Sequence, residues 1–221
     1  KELSSVGQLW RLEQRIPYAS AQRMITQAIE GAAERHELSV EDMEELSVPT
    51  FGLDMLGKMT RELGDWRFEL SLDDAQQVST QWVRELVNGQ AQLFSLLGGE
   101  QEVRQNVPRK VRSEHAEELD ELTASARELE KIIHVQRDRI EGFYTQPRDW
   151  SIQPWLARYI EHPVVSRHAR RLIWTIEEPG QPREQVIWHE DRLVNVSDEV
   201  IDPLFLDPQT RVELWHPLDS T

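Results

Sequence analysis

Between His115 and Phe143 the seam residues recur in alternating steps of four and three: His115, Leu119, Leu122, Ala126, Leu129, Ile133, Gln136, Ile140 and Phe143. This heptad spacing keeps one edge of a helix turned toward a partner along its whole length. Pro108 suits the first turn, where its missing N–H would have been unpaired anyway, and Gly142 loosens the end. One helix is therefore predicted over 108–142, roughly 50 Å long at about 1.5 Å per residue. Such a rod packs along the sheets of its own domain, or it meets a second copy of the chain as a homodimer.

Upstream of the rod the pattern is helical and then alternating. Ser4 and Ser5 offer N-caps to a short helix through Leu12 that stops before Pro17. Ala21, Met24, Ile25, Ala28, Ile29, Ala32 and Ala33 give a second helix one broad apolar face. Ser39, three residues before Asp42, opens a short acidic helix through Leu46. Residues 1–50 thus read as the tail of a helical array. From Trp66 the period becomes two, with Trp66, Phe68, Leu70 and Leu72 alternating with polar residues. Asp73-Asp74 and Asn88-Gly89 supply turns, so a three-strand antiparallel meander is predicted over 66–97.

Downstream of the rod, Asp149-Trp150-Ser151 reads as the cap of a short helix carrying Trp155, Leu156, Tyr159 and Ile160. His162-Pro163 ends it. The stretch RLIWTIEEPGQPREQVIW, Arg171 to Trp188, then reads as two strands around a Pro/Gly turn. Leu193-Val194 lies beyond a Glu190-Asp191 turn, and Leu204 to Leu206 and Val212 to Trp215 add short strands. The expected fold is α+β. Repeat-like helices come first, and residues 51–221 form one domain containing the meander, the long helix and a small, mostly antiparallel sheet over 171–216 with short helices.

Charge and composition exclude several functions. A net charge of −15 opposes any surface built to follow a phosphate backbone, whose affinity comes from cations displacing counterions; nucleic acid and anionic membrane are poor partners. With no cysteine in the chain, disulfides, thiolate catalysis and thiolate-bound zinc are ruled out, and a cytoplasmic setting fits. No apolar run approaches a membrane span. The chain starts at Lys1 directly in helical pattern, as expected of a piece of a longer polypeptide.

Three groups of residues could carry chemistry. Arg167, His168, Arg170 and Arg171 form the clearest basic cluster, and arginine forks match phosphate or carboxylate bidentately; the alternative is that they pair with nearby acids along the sheet rim. Arg109, Lys110 and Arg112 make a weaker cluster in a first helical turn. His189 and His216 end strands beside Trp188 and Trp215, and were those strands neighbours, Glu190 would complete a three-ligand metal site. His162 and His216 precede prolines, which more simply terminates elements. There is no nucleotide-binding glycine loop, no HExxH and no G-x-S-x-G elbow. The acidic runs Glu41 to Glu45 and Glu117 to Glu121 are solvated helix faces, and most of the eight tryptophans sit at core positions.

The order of short helix, His-Pro, basic turn, RRLIW strand, second strand with an acidic turn and terminal VELWHPLD resembles the carboxy-terminal domain of unknown function of bacterial MolR-like proteins. Gly52-Leu53-Asp54, the G-x-W-R-F start at Gly64 to Phe68, and Arg148-Asp149-Trp150 after a long helix agree with it. The resemblance implies a large cytoplasmic bacterial protein, with repeat-like helices ahead of this domain and a link to molybdate regulation. It carries no catalytic residues and no cofactor. Ile187-Trp188-His189 departs from it, where relatives tend to have an arginine-containing strand.

No reaction can be named from these residues. The expected function is a non-catalytic interaction or scaffold module, whose partner is the rest of a larger polypeptide or another protein. The rival is an enzyme or receptor for a small anion, built on Arg167 to Arg171 and the neighbouring histidines.

Overall fold

The computed structural model describes Leu9, residues 18–85 and residues 101–220, and places them in two compact units, Lys1–Thr50 and Phe51–Thr221. The fold is α+β, as expected. The predicted first helix lies outside the described residues apart from Leu9.

In the first unit, α1 (Ala19–Arg35) and α2 (Val40–Leu46) pack through Ile29, Ala32, Ala33 and Met43. Small alanines let the two backbones approach. Ser39 accepts the Asp42 N–H at 2.9 Å and donates to the Asp42 carboxylate at 3.0 Å, so side chain and backbone cap each other.

The second unit opens with an antiparallel sheet in the order β1 (Lys58–Leu63), β2 (Trp66–Leu72), β3 (Val78–Glu85), β4 (Gln101–Arg104). β2 and β3 are the first two strands of the expected meander, whose third strand falls outside the described residues, and β1 and β4 join them in the sheet. β1 went unread because Lys58–Leu63 is polar and mostly exposed, although Gly64-Asp65 is a two-residue hairpin signal: Leu63 faces Trp66 across it and Gly64 has φ +63°. The Asn88-Gly89 turn falls outside the described residues. The alternation of β2 is as predicted, with Trp66, Phe68, Leu70 and Leu72 all buried.

The long helix is interrupted. Residues 108–142 form α3 (Arg109–Glu114) and α4 (Ala116–Gly142), because His115 leaves the helical region at φ −133°, ψ 45°. Pro108 stands at the N-cap, not inside the first turn. The α4 seam is consumed internally: Leu122, Leu129 and Ile133 pack with Trp66, Phe68, Leu70 and Trp82 of the first sheet in one core.

The second sheet has six antiparallel strands in the order β5-β10-β6-β7-β8-β9. These are β5 (Asp149–Ser151), β6 (Ile173–Glu177), β7 (Glu184–His189), β8 (Arg192–Asn195), β9 (Val200–Ile201) and β10 (Arg211–Leu214). Two expectations change here. Asp149-Trp150-Ser151 is an edge strand paired with β10, and Ser151 stands at the N-cap of the expected short helix without a side-chain cap bond; that helix follows as α5 (Ile152–Trp155) and a π-helical turn, Leu156–Ile160. Pro203–Phe205 is a 3-10 turn capped by Asp202, whose carboxylate accepts the Leu204 N–H at 3.0 Å; proline cannot donate to a ladder there.

The inner face of this sheet is aromatic. Trp150 lies 4.8 Å from Tyr159, and Tyr159 and Trp155 lie 5.7 and 5.4 Å from Trp174, all in tilted or edge-on pairs. Such pairs add about 0.5–1.5 kcal/mol each beyond the area they bury. These tryptophans are core, as their spacing indicated.

Candidate functional site

The basic turn comes first. Val164 and Val165 anchor it in the core, and α6 (Ser166–Ala169) carries it. A four-residue helix points successive side chains in different directions, so the cluster radiates. Arg167, with a side chain only 10% exposed, pairs through Nη1 with Asp74 in the β2–β3 turn and donates Nη2 to the Met55 carbonyl at 2.9 Å. The His168 Nδ1 accepts from the Gln76 amide at 3.1 Å, which leaves its proton on Nε2. Burial holds that ring below its usual pKa, against the pull of Glu141.

Arg170 turns the other way. It donates Nε to the Ile160 carbonyl at 3.0 Å, reaches Asp191 at 3.2 Å and covers the Trp188 ring at 5.1 Å. Arg171 is exposed. Three of the four side chains are therefore held by different partners, and they do not converge on one point. Of the weaker cluster, Lys110 pairs with Asp65 at 2.7 Å.

The histidines serve turns. At both His-Pro steps the histidine Nδ1 accepts the N–H of the residue after the proline, Val164 at 3.2 Å and Leu218 at 3.1 Å. His216 also packs edge-on against Tyr144 at 5.9 Å. β6 lies between β7 and β10, so His189 and His216 end strands that are not neighbours, about 10 Å apart at the backbone. His189 has Glu190 at 3.9 Å. Among the described residues no three His, Asp or Glu side chains are grouped to hold a metal.

The feature the sequence reading missed is the outer face of the second sheet. Opposed residues of an antiparallel pair share a face, and the register aligns Ile173 with Ile187, Ile187 with Val194, and Val194 with Val200. The Trp215 N–H donates to the Ile173 carbonyl and extends the row to the β10 side. A row of apolar residues thus crosses β6 to β9 and continues to Trp215 just after β10, with Val194 in it buried. Ile173, Ile187 and Val200 are 38%, 41% and 58% exposed. Beside this row a groove of about 380 Å³ is lined by Ile173, Gln185, Ile187, Val194, Val196 and Trp215.

Charges flank the row unequally. At one end the carboxylates of Glu177 and Glu213 share Arg183, at 3.0 and 2.6 Å, and Asp149 holds Arg211. At the other end His189 and Arg192 face each other in register and Arg171 stands two residues ahead of Ile173. Asp191 there is already engaged by Arg170. Arg171 and Arg192 have no ion pair among the described residues. The signal was in the sequence as the isoleucines at 173 and 187 and the valines at 194 and 200, out of phase with the buried Trp174, Val186 and Leu193.

Comparisons place the chain among uncharacterised proteins. Residues 102–221, more than half of the chain, match the family model described as "Domain of unknown function (DUF4132)". The chain is 25% identical over 223 residues to "Uncharacterized protein YehI" of Escherichia coli (strain K12), covering 97% of this chain and 17% of that protein. The chain thus spans about a sixth of the length of this relative. No solved structure matches it. No helix among the described residues is long and apolar enough to cross a membrane.

Proposed function

Because the chain belongs to the DUF4132 family of domains of unknown function, we propose that it is a non-catalytic interaction module of a larger, cytoplasmic bacterial protein of the MolR-like kind. The observation that carries this reading is the apolar row on the outer face of the second sheet, in which Ile173, Ile187 and Val200 are exposed, Trp215 is partly so and Val194 is buried. Contiguous apolar surface of this kind, rimmed by polar residues, marks contact sites. The MolR-like assignment rests on the His-Pro, basic turn and RRLIW order. The larger protein is supported by the small share of YehI that the chain covers.

The engagement of Arg167 and Arg170 within the fold supports a structural role for the basic turn, with binding left to the sheet face. Oxidative footprinting tests this. Ile173, Ile187 and Val200 are expected to be modified in the purified chain and protected when the same chain is labelled inside cells. Equal modification in both settings would remove the interaction reading.

A further inference from the structure

We infer that the folding unit to which the family match belongs begins near Phe51, and not at residue 102 where the match starts, so that residues 51–85 and 102–221 unfold as one body. This extent holds whatever the outer face of the second sheet binds.

Three features cross residue 102. β4 has three of its four residues inside the match, yet among the described residues its ladder partner is β3 alone, with Trp82 opposite Arg104 and Val83 opposite Val103. Without that neighbour the strand would leave its N–H and C=O groups unpaired. Its charges are shared as well: Glu102 takes Arg84 and Arg104, both at 2.5 Å, and the two guanidinium groups lie over the Trp66 ring at 4.9 and 5.3 Å.

The second feature is α4, which belongs to two cores at once. Leu122, Leu129 and Ile133 lie in one buried cluster with Trp66, Phe68, Leu70 and Trp82, from strands ahead of residue 102. Phe143, at the end of the same helix, packs edge-on against Trp150 at 5.1 Å and Tyr159 at 6.3 Å in the aromatic core of the second sheet. Domains that fold independently are divided by an exposed linker that few contacts cross. Here the two cores are joined by one helix of 27 residues, about 40 Å long.

The basic turn makes the third link. Val164 joins the first core, Arg167 pairs with Asp74 and donates to the Met55 carbonyl, and His168 accepts from Gln76. Residues 102–221 alone would expose the apolar seam of α4 and strip these side chains of their partners.

Hydrogen exchange of the full 221-residue chain, read by mass spectrometry of its peptides, tests this with Leu70→Ala as the variant. Leu70 is fully buried in β2, on the other side of residue 102 from β6 and β10. In one cooperative unit the slowest amides open only when the whole unit opens. Leu70→Ala should therefore speed the slowest amides of β6 and β10 by the same factor as those of β2 and α4, on the order of thirtyfold, the rate equivalent of the smallest usual cost of such a change. A variant whose first sheet does not form at all is expected to lose protection in β6 and β10 too. Wild-type protection kept in β6 and β10, with the acceleration or loss confined to β2, β3 and β4, would overturn the inference and make the second sheet a body of its own.

Discussion

Arg167 reaches across 112 positions of the chain to donate its Nη2 to the carbonyl oxygen of Met55, with a side chain only 10% exposed. The same guanidinium pairs with Asp74. One residue of the basic turn thereby ties the helix ahead of the second sheet to two loops of the first, the β2–β3 turn and the loop before β1. Removing it takes away the donor to Met55 and the ion pair with Asp74 together. Arg167→Ala is expected to lose about 2–3 kcal/mol of stability, the scale of hydrogen bonds to charged groups. Urea unfolding measures it, and a loss below about 0.5 kcal/mol would deny the turn its structural role.

Gly57 lies against the same contact. Its φ is +73°, and a Cβ there would sit 2.2 Å from the Leu72 carbonyl oxygen and 2.8 Å from Arg167 Nη2. Since the Gly57 carbonyl also accepts the Leu72 N–H at 2.8 Å, the loop cannot retreat without losing that bond. Gly57→Ala should therefore lose roughly 3 kcal/mol. A wild-type melting temperature would show that the loop adapts.

His168 gives the fold a pH dependence. Burial, aided by Arg137 and Arg171 and opposed by Glu141, lowers its pKa below the ordinary 6.5. The unfolded chain then takes up the proton first as pH falls. The contribution is complete above about 6.5 and is lost as pH drops toward the folded value. His168→Gln should flatten this part of the stability profile, read from urea midpoints at pH 7.5, 6.5 and 5.5. An unchanged profile would contradict the assignment.

The β7–β8 hairpin turns on Glu190 and Asp191 at φ +46° and +57°, a conformation that asparagine and glycine tolerate better than glutamate. Glu190→Asn is expected to stabilise the chain by about 0.5 kcal/mol without disturbing Arg170 and Asp191. Destabilisation would mean that the 3.9 Å approach of Glu190 to His189 outweighs the relief of strain.

What could be read in advance followed from periodicity. The alternation of Trp66 to Leu72 and the steps of four and three from Leu119 to Ile140 reported which faces are buried, because burial and period are the same constraint. What escaped depended on neighbours far away in sequence. β1 is polar and exists because Gly64 turns it onto Trp66; Asp149 to Ser151 became a strand because β10 lay alongside. The radiating basic turn and the separation of His189 from His216 were equally illegible, since each depends on which strands are neighbours. The apolar row on the outer face was visible as isoleucine and valine, but a β-branched residue on either face of a sheet reads the same until the inner face is known.

The most direct test of the interaction face is photo-crosslinking in cells with a benzophenone side chain at position 187, and at exposed Glu117 on α4 for comparison. The account predicts a discrete protein crosslink at 187, abolished by Val200→Asp in the same chain, and none at 117. No crosslink at 187, or the same products from both positions, would contradict it.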